Sequence, residues 1–218
     1  SYVQETGHPA YRADDALWLF PTVYKYITET GNMAFLDEVI PYANCEEDSV
    51  YEHLKRAIAF SKNHLGRHGL PAGLYADWND CLRLGKDGES TFVAMQFYYA
   101  MIILREFARY KEDDKYIQYL DEEQKNLGEL IQKLCWDEDR FIRGITEQGE
   151  VIGKRTDREA NVWLNPQSWS VISGLADDAQ VDKALDIVKE RLNTEYGAIL
   201  MDPPYKEHAF DGALAVIY

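Results

Sequence analysis

The chain has 218 residues, 46% hydrophobic and 28% charged, a balance that suits one large folded domain and leaves too little length for two. Its 38 acidic residues against 23 basic ones give a formal net charge of -15 at pH 7. Such a surface repels phosphate backbones and anionic lipid, which argues against nucleic acid and membranes as partners.

In chain order, the spacing of Leu17, Phe20, Tyr24 and Ile27 predicts a helix over 15–30, with Pro21 in its first turns and a stop at Gly31-Asn32. A second amphipathic helix is predicted over 49–65. Ser49 is its cap, Val50, Leu54, Ile58 and Ser61 form its stripe, and Gly66 ends it. A long loop, 67–88, follows. It holds Pro71, Gly73, Gly85 and Gly88 and carries Asp77-Trp78-Asn79-Asp80. Loops of this length inside compact domains are functional or disordered, and the Trp, Tyr and Leu content argues against disorder.

Two long helices are predicted next, over 90–110 and 113–134. The first is strongly apolar, through Phe92, Met95, Tyr99, Ile102, Ile103 and Phe107. Over 140–153 the period changes, and apolar pairs flank Gln148-Gly149, which suggests a short β-hairpin. Helices over 166–175 and 179–192 are split by Gly174, and 196–205 reads as a loop or short strand ending in Pro203-Pro204. Helices joined by long loops on one side are the pattern of an α/α toroid. Six helices make a partial one, so the fold class is all-α, a partial (α/α)6 toroid with a small β-hairpin. No linker composition interrupts it, so 1–218 is read as a single domain.

Cys45, Cys81 and Cys135 are odd in number and widely spaced, without a C-x-x-C pair. Free thiols suit a reducing cytoplasm. No apolar run approaches membrane-spanning length, and the opening residues do not read as a signal peptide. His53, His64 and His68 lack ligand spacing with carboxylates, so no metal is expected. Neither a Gly-rich phosphate loop nor a nucleophile elbow occurs. Trp136, Trp163 and Trp169 read as core residues.

The segment around Asp77-Trp78-Asn79-Asp80 places two carboxylates beside an indole and an amide. Breaking a glycosidic bond requires a proton on the leaving oxygen, and a carboxyl group near apolar surface can hold one at neutral pH. From the residues alone, a loop whose aspartates cap the next helix and whose Trp plugs the core stands level with that reading.

This segment closely resembles the D-W-N-D loop of glycoside hydrolase family 94, which includes the cellobiose and chitobiose phosphorylases. Three further stretches resemble the family in the same order. Arg12-Ala13-Asp14-Asp15-Ala16-Leu17-Trp18-Leu19 is similar to its D-D-x-L-W-L helix entry, Gly88-Glu89-Ser90 to its G-E-S helix start, and Asn165-Pro166-Gln167-Ser168-Trp169 to its N-P-Q-S-W element. The resemblance implies that Asp80 is the proton donor. It also implies that Trp78 lines the donor-sugar subsite and that Asp15 binds the sugar's hydroxyls. Asp14, Asp77 and Arg12 join the substrate-binding set, with helix capping the plainer role of Asp14 and loop orientation that of Asp77. Tyr205 and Glu207 are minor candidates near the site.

The implied reaction is inverting phosphorolysis of a β-linked glucosyl disaccharide or oligosaccharide to α-glucose 1-phosphate, cellobiose first and laminaribiose second. It needs no cofactor; inorganic phosphate is the co-substrate and the β-glucoside the partner. The family's phosphate-gripping His and its Thr-Gly and Arg contacts fall outside the matched stretch. The chain is therefore expected to be part of the catalytic domain, truncated at both ends. The resemblance also suggests a homodimer for the full-length protein. Two alternatives stand beside this reading. One is an inverting hydrolase on the same fold, with Glu207 or Glu89 activating water. The other is an inactive carbohydrate-binding fragment.

Overall fold

The computed structural model describes residues 12–42 and 46–206. Glu207, His8, His208 and Cys45 lie outside the described residues.

The described chain is mainly helical with several small sheets. A 3-10 turn at Asp15–Trp18 leads into α1, Leu19–Thr30. Pro21 is the third residue of α1, where an N–H would have no helical partner. Gly31 closes α1 in the left-handed conformation, and its N–H reaches Ile27 O at 2.8 Å. A 3-10 turn at Met33–Asp37 and an antiparallel pair, β1 (Val39–Pro41) with β2 (Glu47–Ser49), connect it to α2, Val50–Asn63. Ser49 caps α2 by accepting the Glu52 N–H, and the expected stripe of Val50, Leu54, Ile58 and Ser61 is buried. The helix stops at Asn63, short of the expected 65. The chain then turns back on itself, with Gly66 N–H bonded to Leu70 O and Leu65 bridged to Pro71.

After loop 64–88, the two-residue β3 (Glu89–Ser90) opens α3, Thr91–Tyr110, capped by the Ser90 hydroxyl. Asp113 caps α4, Asp114–Cys135. α3 packs chiefly on α4, and also touches α1, α2 and the later α5. Its buried face, from Phe92 and Val93 through Met95 to Phe107, is the centre of the larger hydrophobic core. Short strands follow: β4 (Trp136–Asp137) with β5 (Arg140–Phe141), and β6 (Gly144–Ile145) with β7 (Val151–Ile152). The expected hairpin is present as β6–β7, turning at Gly149 (φ 90°), and β3 adds a third strand to it by pairing with β6. That pairing ties the start of α3 to the hairpin 54 residues later.

β8 (Val162–Trp163) runs into α5, Leu164–Ile172. Gly174 (φ 69°) separates α5 from α6, Asp178–Ile187, whose N-terminus carries a full capping box between Asp177 and Gln180. A π-helical turn, Val188–Leu192, completes the helix expected to reach 192. Two small pairs finish the fold, β9 (Asn193–Thr194) with β10 (Gly197–Ala198), and β11 (Met201–Asp202) with β8. Trp163 is fully buried in a second, smaller core with Leu82, Leu84, Ile152 and Ala160. This core forms the underside of loop 64–88.

Candidate active site on loop 64–88

The loop is fixed at several points by main-chain bonds. Arg12 bridges Leu74 and Ala76, and Ala13 N–H bonds to Ala76 O at 2.9 Å. Ala72 pairs with Glu89, and Ser90 N–H reaches Pro71 O. Leu74 sits at φ 52°, a conformation costly for a branched side chain, and the Arg12 bridges hold it there.

The two loop carboxylates have opposite surroundings. The Asp80 side chain is 68% exposed, and it accepts a hydrogen bond from Arg12 Nε at 2.6 Å. The Asp77 side chain is 1% exposed. Arg143, itself wholly buried, grips both its oxygens at 2.7 and 2.6 Å. Ser90 Oγ donates to Asp77 at 2.7 Å, and the Asn79 N–H donates at 2.9 Å. Asp80 can therefore meet a ligand directly. Asp77 has its oxygens committed beneath the surface, which is the arrangement of a residue that orients the loop. A carboxylate so held costs several kcal/mol if its partner is removed, since the remaining charge stays buried and unpaired (about 3–5 kcal/mol).

Around Asp80 stand further polar and aromatic groups. Trp78 is 55% exposed and presents its indole to solvent. Two guanidiniums lie against the Tyr75 ring, Arg12 at 4.8 Å and Arg83 at 4.2 Å, and Arg83 also donates to the Tyr75 hydroxyl at 2.7 Å. Asp15 is exposed and lies in the field of both Arg12 and Asp80. Partial burial and the Asp80 charge push its carboxyl pKa above the ordinary carboxylate value, against the pull of Arg12. The exposed face thus gathers Arg12, Asp15, Asp80 and Tyr75, and Trp78, two residues before Asp80, is exposed on the same loop.

Asp14 points inward. It is buried and accepts the Trp18 indole N–H at 2.8 Å rather than capping the turn. Burial pushes its carboxyl up to about 6; the Trp18 bond opposes this and the Asp77 charge adds to it. The raised value makes the folded state hold its proton more tightly than the unfolded chain does. Stability from this group is present below about pH 4 and is lost as pH rises through about 6. The stability of the wild type minus that of Asp14→Asn is therefore expected to fall between pH 4.5 and 7.5, by about 2–3 kcal/mol at most. Paired urea titrations at the two pH values measure it; a difference that is flat or rises with pH contradicts the assignment.

Tyr205 packs at 6.3 Å from Trp163 in the smaller core, and burial pushes its phenol up, with Asp157 and Glu159 adding to the rise. Trp169 sits among Trp18, Phe92 and Tyr99. Glu89 is 1% exposed and accepts N–H groups from His68 and Leu70 at 2.7 and 3.1 Å, with His68 Nδ1 at 2.6 Å from its other oxygen. A carboxylate so engaged has no free oxygen to activate water. Sequence reasoning missed Arg143, Tyr75 and Arg83. Arg143 alone carried a usable signal, a lone cation inside the apolar run Phe141-Ile142-Arg143-Gly144-Ile145, which demands a buried partner.

Residues 1–217 match the family model described as "Glycosyl hydrolase 94 superfamily, catalytic domain". The chain is 40% identical over 195 residues to N,N'-diacetylchitobiose phosphorylase of Vibrio proteolyticus, covering 88% of this chain and 24% of that protein. It is 34% identical over 204 residues to solabiose phosphorylase of Paenibacillus borealis (92% and 27%). It is 31% identical over 208 residues to cellobionic acid phosphorylase of Neurospora crassa (94% and 26%). The chain thus spans about a quarter of the length of these relatives. Among solved structures, the GH78 family rhamnosidase of Bacillus sp. GL1 superposes with a TM-score of 0.63 at 14% identity, over 83% of this chain and 18% of that one, a likeness of fold alone.

Proposed function

From the premise that this chain belongs to the glycosyl hydrolase 94 superfamily, by its catalytic domain, we propose that it carries the proton donor of an inverting phosphorolytic site, with Asp80 as the acid. The observation that carries this reading is the contrast between the two loop carboxylates: Asp80 is open to a ligand, and Asp77 is buried and fully engaged. Asp80 gives its proton to the glycosidic oxygen as the bond to the anomeric carbon breaks. An oxygen of inorganic phosphate attacks that carbon from the opposite face, so a β-glycoside yields an α-sugar 1-phosphate. Phosphate is already an anionic nucleophile and needs no catalytic base.

Trp78 offers an apolar face to the donor sugar, and Asp15 and Arg12 offer hydrogen bonds to its hydroxyls. The helices form part of an (α/α)6 toroid, within a single catalytic domain. Cellobiose is the first substrate to test and laminaribiose the second. The N,N'-diacetylchitobiose of the Vibrio proteolyticus relative's name is the third. No cofactor takes part in this scheme; sugar and phosphate are the ligands, and the setting is a homodimer in the cytoplasm. Among the described residues, no helix is long and apolar enough to cross a membrane.

The rival reading, an inverting hydrolase, needs a second carboxylate about 6.5–9.5 Å from the acid with room for a water. The engagement of Glu89 with His68 and Leu70 weighs against it in that role. Incubating the full-length protein with each disaccharide, with and without phosphate, separates the two. Sugar release is expected only with phosphate; equal release without it would make the protein a hydrolase.

A further inference from the structure

We infer that Arg143 is a positioning residue for the reaction, setting the place of Asp80 through Asp77. The inference rests on the reading of Asp80 as the acid. Arg143 lies 63 residues beyond Asp80, in the link between β5 and β6, and is wholly buried. Its Nη2 holds both oxygens of Asp77, and its Nη1 donates to Ser90 Oγ at 3.1 Å. Ser90 Oγ in turn donates to Asp77 and accepts the Val93 N–H at the start of α3. The guanidinium also lies 5.5 Å from the Trp163 ring, the largest side chain of the smaller core. Its main chain is fixed on both sides, N–H to Ile152 O at 2.7 Å and carbonyl to Thr91 N–H at 3.2 Å.

One charged group therefore joins the hairpin, the N-terminus of the longest apolar helix and the loop bearing the acid. On the loop side the connection is short. Asp77 receives the Asn79 N–H, Asn79 Oδ1 receives the Cys81 N–H, and Asp80 stands between these two residues. Removing the grip on Asp77 frees the turn that aims Asp80, while Arg12 keeps its main-chain bridges to Leu74 and Ala76 and Asp15 stays in its own 3-10 turn. A general acid misplaced by about 1 Å loses about 10²-fold in rate, with little change in ground-state binding.

The test uses the full-length protein with Arg143→Gln and Arg143→Lys, two substrates and one thiol measurement. With the disaccharide and phosphate, Arg143→Gln is expected to lower kcat about 100-fold with KM within about 3-fold. With a β-nitrophenyl glucoside, whose leaving group needs little protonation, the loss is expected to stay under about 5-fold. Arg143→Lys keeps the charge but has one nitrogen where Arg143 uses Nη2 on Asp77 and Nη1 on Ser90, so it should recover part of the disaccharide rate. Cys81, half-buried in the same turn, should react with a thiol reagent at least about 10-fold faster in the variants, located by peptide mapping, while buried Cys135 stays protected. Equal losses on both substrates, or wild-type kcat with unchanged Cys81 protection, would overturn the inference. If Arg143→Gln does not fold, Ser90→Ala removes the hydroxyl between Arg143 and Asp77 and is read in the same way. Should the wild type itself show no phosphate-dependent turnover, the proposed function fails, while Cys81 reactivity still decides whether Arg143 holds the loop.

Discussion

Asp80→Asn is expected to lower kcat for disaccharide phosphorolysis by about 10³-fold in the full-length protein while leaving KM within a few-fold. General acid catalysis contributes about 10²–10⁴-fold, and a sugar alkoxide is a poor leaving group without a proton. The amide keeps the size of the carboxyl, and its oxygen can still accept the Arg12 Nε–H that Asp80 accepts at 2.6 Å. The ground-state complex should therefore survive while the transition state loses its proton. A β-nitrophenyl donor should recover most of the rate. Asp77→Asn is the comparison; it weakens the hold of Arg143 on the loop without removing a proton donor, and should lose about 10-fold. Steady-state kinetics on the two variants check this. An inactive Asp77→Asn beside an active Asp80→Asn would place the acid three residues earlier.

Gly88→Ala should be the most damaging of the glycine substitutions near the site, costing about 3 kcal/mol of stability. A Cβ there would lie 2.1 Å from Leu84 O and 2.6 Å from Leu84 C, and these are backbone atoms that cannot rotate away. Leu84 is also the floor of the loop: its carbonyl accepts the Glu147 N–H, and its side chain packs in the smaller core. Gly31→Ala and Gly174→Ala meet nothing within 4 Å and face only their positive φ, a cost of about 1 kcal/mol. Urea denaturation of the three variants gives the ranking. Gly88→Ala within 1 kcal/mol of wild type would mean that the loop can shift to accept a side chain.

What the sequence made legible follows the range of the interactions. Helix caps are local, so Ser49, Ser90 and Asp113 could be read before the fold was known, or fell within a residue of the expected start. The apolar period of α3 was plain because nearly every turn of it is buried. The Gly88-Glu89-Ser90 motif was recognised by likeness, and its physical meaning came only with the structure. Gly88 lets the chain pass Leu84, Glu89 ties down His68 and Leu70, and Ser90 both caps α3 and joins Arg143 to Asp77.

The rest was hidden by distance or brevity. The Asp77–Arg143 pair spans 66 residues, and no period within either segment points to the other. Strands of two residues, such as β3 and β8, are too short to show alternation. In the site itself, Asp80, Asp15 and Trp78 stood out only through the family's motifs; Tyr75 and Arg83 carried no signal, and the residues alone do not say which carboxylate of each pair faces outward. Asp14 and Asp77 look equivalent to Asp15 and Asp80 in the sequence, and only packing separates the buried pair from the exposed one.

The configuration of the first product decides whether Asp80 serves a single displacement by phosphate. The full-length protein is mixed with a β-linked disaccharide and phosphate, and the sugar phosphate is followed by NMR before any equilibration. An α-sugar 1-phosphate is expected, formed by direct attack of phosphate opposite the bond that Asp80 protonates. A β-sugar 1-phosphate would require a covalent sugar–protein intermediate and a second carboxylate as nucleophile, and would contradict direct attack.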